Sequence, residues 1–354
     1  MKYVLAIDSF KGCLSSAEAE ATVASALREK GGEVVALPMS DGGEGMLEAF
    51  TAVLKGRLVG ADVHDPLMRP ITAPYGITTD GTAIIETSKA CGLTLMKEEE
   101  RNPLKATTYG VGELIAHAVR NGCRRFIVGL GGSGTSDAGM GMLEALAHNF
   151  SEAKSIDGIS DSFLKDCRFT LACDVRNPLC GPEGAAYTFA RQKGATEDML
   201  EKLDERARQF ARMSARRLGY DRSSVPGAGA AGGLGYAFLQ YLGASTRSGA
   251  DLLLDWVDFD RLIAHADVVI TGEGRADAQT LMGKLPERVL RRAQGKGIPV
   301  WLMAGAVSDK ERLLEAGFAR ADGITPDNMP IREALRPEVA RENIRRWVGR
   351  IVAP

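Results

Sequence analysis

An α/β protein of two domains is what this sequence predicts, and three observations carry the prediction. Continuous apolar runs, the mark of strands covered on both faces, alternate with amphipathic stretches of helical period. At 354 residues the chain exceeds one typical domain. Short glycine-and-acid loops stand where strands should end: Asp8 to Gly12 (DSFKG), Ser40 to Gly45 (SDGGEG), Gly129 to Asp137 (GLGGSGTSD), Gly227 to Gly235 (GAGAAGGLG) and Thr271 to Asp277 (TGEGRAD).

Taken in order, Tyr3 to Ile7 reads as a buried strand, and Ser15 to Glu18 fits a capping box opening a helix that stops at Gly31-Gly32. Glu33 to Met39 is the next expected strand and Gly43 to Leu54 the next helix. Val63 to Gly92 reads as short strands with a hairpin turn at Asp80-Gly81, which places a domain boundary near Asp65-Pro66. Alternation resumes with helix Thr107 to Asn121, strand Arg125 to Leu130 and helix Ala138 to Phe150. Ser151 to Lys165 is a polar connection, Cys167 to Asp174 a strand and Glu197 to Leu218 a long amphipathic helix. Asp267 to Thr271 and Pro299 to Gly305 complete the strands, and Arg332 to Val352 is a helical tail. The expected division is a discontinuous Rossmann-like βαβ domain, 1–65 plus 281–354, enclosing an inserted mixed α/β domain, 66–280.

Composition removes several functions. Lys plus Arg number 44 against 46 for Asp plus Glu, a net charge of -2, so there is no electrostatic footprint for nucleic acid or an anionic membrane. No apolar run approaches the ~20 residues a spanning helix needs. The first strand starts almost at Met1, leaving no room for a signal peptide. Six cysteines without a C-x-x-C pair read as reduced thiols of a cytoplasmic protein, and four scattered histidines form no zinc motif. A metal here would be held by oxygen, which favours Mg²⁺.

Glycines let backbone N–H groups approach an anion, and neighbouring carboxylates hold a cation or take a proton. Asp8, with Lys11 three residues on, is a candidate metal or hydroxyl partner, or base, beside a counter-charge for phosphate or carboxylate. A turn-capping Asp would look the same. Asp41 and Glu44 flank Gly42-Gly43 where helix N–H groups would favour a carboxylate, and Asp41 could accept a hydroxyl proton. The loop from Gly129 suits phosphoryl oxygens through Gly131, Gly132, Ser133 and Thr135, with Asp137 placed for Mg²⁺ or for a helix cap. Asp174 ends another strand as a candidate metal ligand or an Asx-turn, Lys193 sits in a glycine context, and Glu273 and Asp277 form a carboxylate pair near Lys284. No Walker A loop is present. G-x-G-x-x-G occurs twice, at Gly129-Gly131-Gly134 and Gly227-Gly229-Gly232, without the acid a dinucleotide site needs, so an NAD-dependent oxidoreductase of a small hydroxy acid is the alternative.

Together these loops resemble the bacterial glycerate kinase family in its type I form. The matching stretches are DSFKG (8–12), SDGGEG (40–45), DPLMR (65–69), ERNPLKATTYGVGELI (100–115), GLGGSGTSDAGMGM (129–142), CDVRNPLCG (173–181), GAGAAGGLG (227–235) and TGEGRADAQTLMGK (271–284). The resemblance implies ATP- and Mg²⁺-dependent phosphorylation of D-glycerate to 2-phosphoglycerate, in a cleft between two α/β domains. It makes Asp8, Lys11, Asp41, Asp174 and Lys193 the catalytic candidates. Ser9, Ser40, Gly42, Gly43 and Glu44 would hold the substrate. Gly131, Gly132, Ser133, Thr135, Gly229, Gly232 and Gly233 would cradle ATP, and Asp137, Glu273 and Asp277 would hold the metal. A homodimer is left open, as is a non-catalytic glycerate sensor on the same scaffold. Cys13 stands where the family has serine, and Gly134, Ser136 and Ala138 where it has alanine, asparagine and glycine.

Overall fold

Strand β1 (Lys2–Ile7) is buried from Tyr3 to Ile7, as a continuous apolar run demands. It is followed by β2 (Glu33–Ala36), β3 (Arg57–His64), β4 (Pro70–Ile77), β5 (Thr82–Glu86), β6 (Arg125–Gly129), β7 (Arg168–Ala172), β8 (Ser245–Arg247), β9 (Val268–Ala276), β10 (Val300–Val307) and β11 (Arg320–Gly323). The computed structural model describes residues 1–352 apart from 11, 41, 42, 44, 153, 160 and 161. One sheet has the order β11-β10-β9-β1-β2 with all neighbours parallel; the other runs β3-β4-β5-β6-β7-β8. In the second sheet the β3-β4-β5 ladder is antiparallel and β5 to β8 are parallel. The architecture is the expected mixed α/β.

The chain divides into two compact units, Met1–Asp41, Glu48–Leu54 and Ala250–Pro354 in one, Gly42–Leu47 and Lys55–Gly249 in the other. The seams differ from those expected at 65/66 and 280/281. Residues 57–64 pair with β4 along their whole length, so Asp65-Pro66 is a hairpin turn, with Asp65 Oδ1 accepting from the N–H groups of Leu67 and Arg69. At the other end, β9 lies between β1 and β10, which draws residues 250–280 into the first unit. Its partner β1 is more than 260 residues distant in sequence, so local pattern carries no trace of the pairing.

In the first unit the helix Ser16–Glu29 opens with the expected capping box: Ser15 Oγ accepts from Glu18 N–H and Glu18 Oε2 from Ser15 N–H. Ala19, Val23 and Leu27 pack on β1 together with Ile344, Trp347 and Val348 of the helix Pro337–Ile351. The expected tail helix is broken: Ile331–Ala334 ends, and Pro337 starts the next helix where its missing N–H is harmless. Glu20 points from the same helix into the sheet. Its Oε1 accepts from Ile7 N–H at 2.9 Å, Oε2 has no partner, and burial pushes the carboxyl well above its usual range. An acid whose folded pKa is raised binds its proton more tightly folded than unfolded, so stability falls as pH climbs from the ordinary carboxylate value toward the raised one. Glu20→Gln keeps the neutral shape. Its melting temperature is expected to decline less than the wild type's between pH 5 and pH 8, a comparison thermal scans across that range read directly.

The second unit buries the helices Tyr109–Arg120, Met140–Phe150 and Ala230–Tyr241 against its sheet. Gly112 lets the first two touch: a Cβ there would lie 2.4 Å from the Met142 carbonyl oxygen. Among the described residues no helix is long and apolar enough to cross a membrane.

Candidate active site

In the first unit the chain leaves β1 toward β2 on one side, while β9, β10 and β11 extend the sheet on the other. The carboxyl ends of β1 and β9 are therefore a topological switch point, where open parallel sheets gather ligands. Ile7 is in register with Gly272, and Asp8 N–H donates to the Gly272 carbonyl at 2.9 Å, which sets Asp8 beside the strand carrying Glu273. Asp8 Oδ1 accepts from Ser9 N–H at 2.7 Å, and both residues are half-buried. The expected loop Thr271 to Asp277 is instead mostly strand, because β9 runs on to Ala276 with Ala306 and Val307 of β10 beside it.

That strand spends its acids. Glu273, 9% exposed at the side chain, accepts from Thr280 Oγ1 at 2.7 Å and from Lys284 Nζ at 3.0 Å. Asp277 caps the turn Ala278–Leu281 through Gln279 N–H. Asp8, Ser9, Glu273, Arg275 and Lys284 line a cavity of about 800 Å³ at this sheet edge.

In the second unit, β5, β6, β7 and β8 end side by side, delivering Glu86, the loop from Gly129, Asp174 and Ser248 to one edge. The Gly129 loop is braced from several directions. Leu93 N–H donates to Gly132 O at 2.9 Å and Gly134 N–H to Cys91 O at 2.7 Å. Lys193, 2% exposed, donates to Ser133 Oγ at 2.9 Å and Thr135 O at 2.7 Å. Burial pushes its ammonium down to about 8, against the opposing pull of Cys91 and Asp137. So placed, Lys193 anchors the loop. Ser133 is spent on that lysine and Thr135 is fully buried. Gly131 and exposed Gly132, with φ +74°, stand at the loop, and the Thr135 and Ser136 hydroxyls are both buried without a hydrogen-bond partner.

Asp137 is held firmly by its neighbours. Its 7%-exposed carboxylate accepts from Thr108 N–H (2.8 Å), Thr108 Oγ1 (2.8 Å), Gly139 N–H (3.0 Å) and Gly141 N–H (3.1 Å). These donors tie the helix Met140–Phe150 to Thr108, at the start of the helix Tyr109–Arg120, most of them on Oδ2, while Oδ1 accepts from Gly139 N–H. Glu273 and Asp277 likewise have partners, so a Mg²⁺ held by a subset of Asp137, Asp174, Glu273 and Asp277 would share carboxylates that the fold already uses. Among the described residues no group of three or more His, Cys, Asp or Glu side chains is arranged to hold one.

The second glycine stretch packs closely against its neighbours. Ala231, Gly232 and Gly233 adopt left-handed φ of +53°, +68° and +89°. A Cβ on Gly232 would stand 2.1 Å from Thr135 O, one on Gly229 2.3 Å from Pro178 O, and one on Gly233 2.6 Å from Leu179 Cδ1. These glycines let one turn press against another, and Ala138 N–H donates to Gly232 O at 3.0 Å. They prop the Gly129 loop.

Asp174 is exposed, with Ser248 Oγ 3.4 Å from its Oδ2. Ser40 is buried and Gly43 O accepts from Met46 N–H at 3.2 Å. Lys11, Asp41, Gly42 and Glu44 lie outside the described residues. Sequence reasoning passed over Glu86, 1% exposed, which accepts from Leu47 N–H at 3.0 Å and Ser88 Oγ at 2.9 Å and so braces the segment following the SDGGEG loop. The signal was present: an acid closing an apolar strand, as with Asp8.

Comparison with known proteins agrees with these loops. The family model described as "Glycerate kinase family" matches residues 3–353. The glycerate kinase of Bacillus subtilis (strain 168) is 40% identical, covering 100% of this chain and 97% of the relative. The glycerate 2-kinase of Escherichia coli (strain K12) is also 40% identical, over 87% of this chain and 86% of its own. A crystal structure assigned as glycerate kinase 2 from Salmonella typhimurium LT2 superposes with a TM-score of 0.83 at 36% identity, covering 100% of this chain and 97% of that one. Nothing among these matches supports the oxidoreductase alternative, and the chain belongs to the glycerate kinase family.

Proposed function

We propose that the protein transfers the γ-phosphoryl group of ATP, bound as its Mg²⁺ complex, to the 2-hydroxyl of D-glycerate, giving 2-phosphoglycerate and ADP. The observation that carries this reading is the family match along residues 3–353, with a relative at 40% identity named glycerate 2-kinase. Metal enters as part of the nucleotide substrate, in keeping with the committed state of Asp137, Glu273 and Asp277.

Catalysis would be positioning and charge neutralisation, as phosphoryl transfer generally requires. The glycerate carboxylate would rest on Lys11 and on the backbone of Gly42 and Gly43, with Ser9, Ser40 and Glu44 completing the enclosure. Asp41, or Asp8 at the β1 end, would take the hydroxyl proton as the oxygen attacks phosphorus. Gly131 and Gly132 would donate N–H groups to phosphoryl oxygens and Ser136 its spare hydroxyl, while Asp174 borders the same edge. Lys193 holds that loop in shape. The balanced net charge and unpaired cysteines suit a cytoplasmic enzyme of small molecules, with no nucleic-acid partner.

Asp41→Asn is expected to lower kcat about 10²–10⁴-fold, the usual worth of a positioned base, with little change in melting temperature. Steady-state kinetics with glycerate and MgATP read the loss. A rate near wild type in this variant, with collapse in Asp8→Asn, moves the base to Asp8.

A further inference from the structure

The cavity of about 800 Å³ at the edge of the first unit's sheet is much larger than a three-carbon acid requires, and falls in the range that holds drug-sized ligands. It opens where β1, β9, β10 and β11 end in parallel, the usual location for nucleotides in such sheets. Its lining is graded. One wall is apolar, built from Ile324, Met329, Leu335 and Ala340 beyond β11. In that wall sits Asn343, 2% exposed, whose amide donates to the Met329 thioether at 3.7 Å, a weak acceptor. Exposed Asp327 stands at the rim. Arg275 and Lys284 supply positive charge from the β9 side, paired with Asp277 and Glu273, and Lys310 does so beside β11, paired with Asp322.

An apolar wall with a buried amide, a carboxylate and cations are together the partners that the parts of a purine nucleotide call for. A flat base gains from the apolar surface. Its edge, which offers a donor beside an acceptor, matches a carboxamide. Ribose hydroxyls donate to a carboxylate, and phosphates meet the cations.

We propose that this cavity holds the adenosine portion of the nucleotide, with the base against Ile324, Leu335 and Ala340, Asn343 reading its edge and Asp327 accepting from the ribose. The inference rests on the reading of the chain as an ATP-dependent kinase. It adds what that reading leaves open: where selectivity for the base resides, on strands and helices remote in sequence from the glycine loops.

Two measurements on the full chain test it. Cys13 lines the cavity and is partly exposed, with its Sγ 3.9 Å from Ala334 O. In the wild type, ADP is expected to slow alkylation of Cys13 about tenfold, followed by mass spectrometry at that residue, whereas glycerate leaves the rate unchanged. Ala334→Trp places an indole in the half-open wall. It is expected to weaken ADP binding, measured by calorimetry, by about tenfold or more, with the KM for glycerate within about twofold of wild type. Absence of ADP protection at Cys13 overturns the proposal. So does protection shared equally by Cys173 and Cys180 of the other unit, or unchanged ADP affinity in a folded Ala334→Trp. A rise confined to the glycerate KM makes the cavity the acceptor's and overturns it too. Product analysis of the wild type is independent of all these outcomes, so a failed kinase reading and a misplaced nucleotide are told apart.

Discussion

Replacing Asp137 by alanine should destabilise the protein by about 3–5 kcal/mol, the cost of stripping a buried, hydrogen-bonded charge from its partners. The carboxylate satisfies two groups on Thr108 and the N–H groups of Gly139 and Gly141, all three residues being buried. For a unit of this size each kcal/mol moves the midpoint by about 2–4 °C, so the variant should melt on the order of 10 °C lower. Asp137→Asn keeps one acceptor oxygen and should fall between the two. A carboxylate whose work is holding Mg²⁺ behaves otherwise: its removal leaves the metal-free protein as stable as before, and added Mg²⁺ partly restores activity. Thermal melts in EDTA separate the two roles. An Asp137→Ala protein that melts with the wild type would return this residue to the list of metal ligands.

Gly232→Ala carries the second large effect. The residue has φ +68° and a Cβ would lie 2.1 Å from the Thr135 carbonyl oxygen, backbone against backbone. A left-handed alanine costs about 1–2 kcal/mol. The overlap must also be relieved by moving one of the two turns, which adds about 1–3 kcal/mol. Thr135 O is the atom that Lys193 grips, so the displaced turn is the same one that would meet phosphate. Misplacement of about 1 Å at such a loop can cost about 10²-fold in turnover. The expected signature is a loss in kcat larger than the drop in stability explains, at temperatures where circular dichroism shows the variant folded. Equal kcat in wild type and variant would mean the Gly129 loop plays no part in transfer.

The sequence made the architecture legible wherever signals were local. The capping box at Ser15, the buried run of β1 and the long helix Glu197–Leu218 are read from neighbouring residues alone, and all appear as expected. Pairings between distant segments were not legible. Nothing within residues 267–276 announces that they lie beside β1, and the seam was displaced for that reason. The site shows the same division. Acids at strand ends were found, with Glu86 overlooked, but their roles depend on what faces them across the fold. Asp137 faces four donors, Glu273 a lysine and a threonine, and Gly232 a carbonyl. Glycine in a G-x-G-x-x-G string signals close approach, and the sequence cannot say whether phosphate or another turn is doing the approaching.

The central claim concerns which oxygen receives the phosphoryl group. Incubating the purified chain with D-glycerate, ATP and Mg²⁺ and recording proton-coupled phosphorus NMR reads it directly, because a phosphate on carbon 2 couples to one methine proton and a phosphate on carbon 3 to two methylene protons. A new phosphomonoester doublet appearing with ADP is the expected result; a triplet, or ATP left intact, contradicts it.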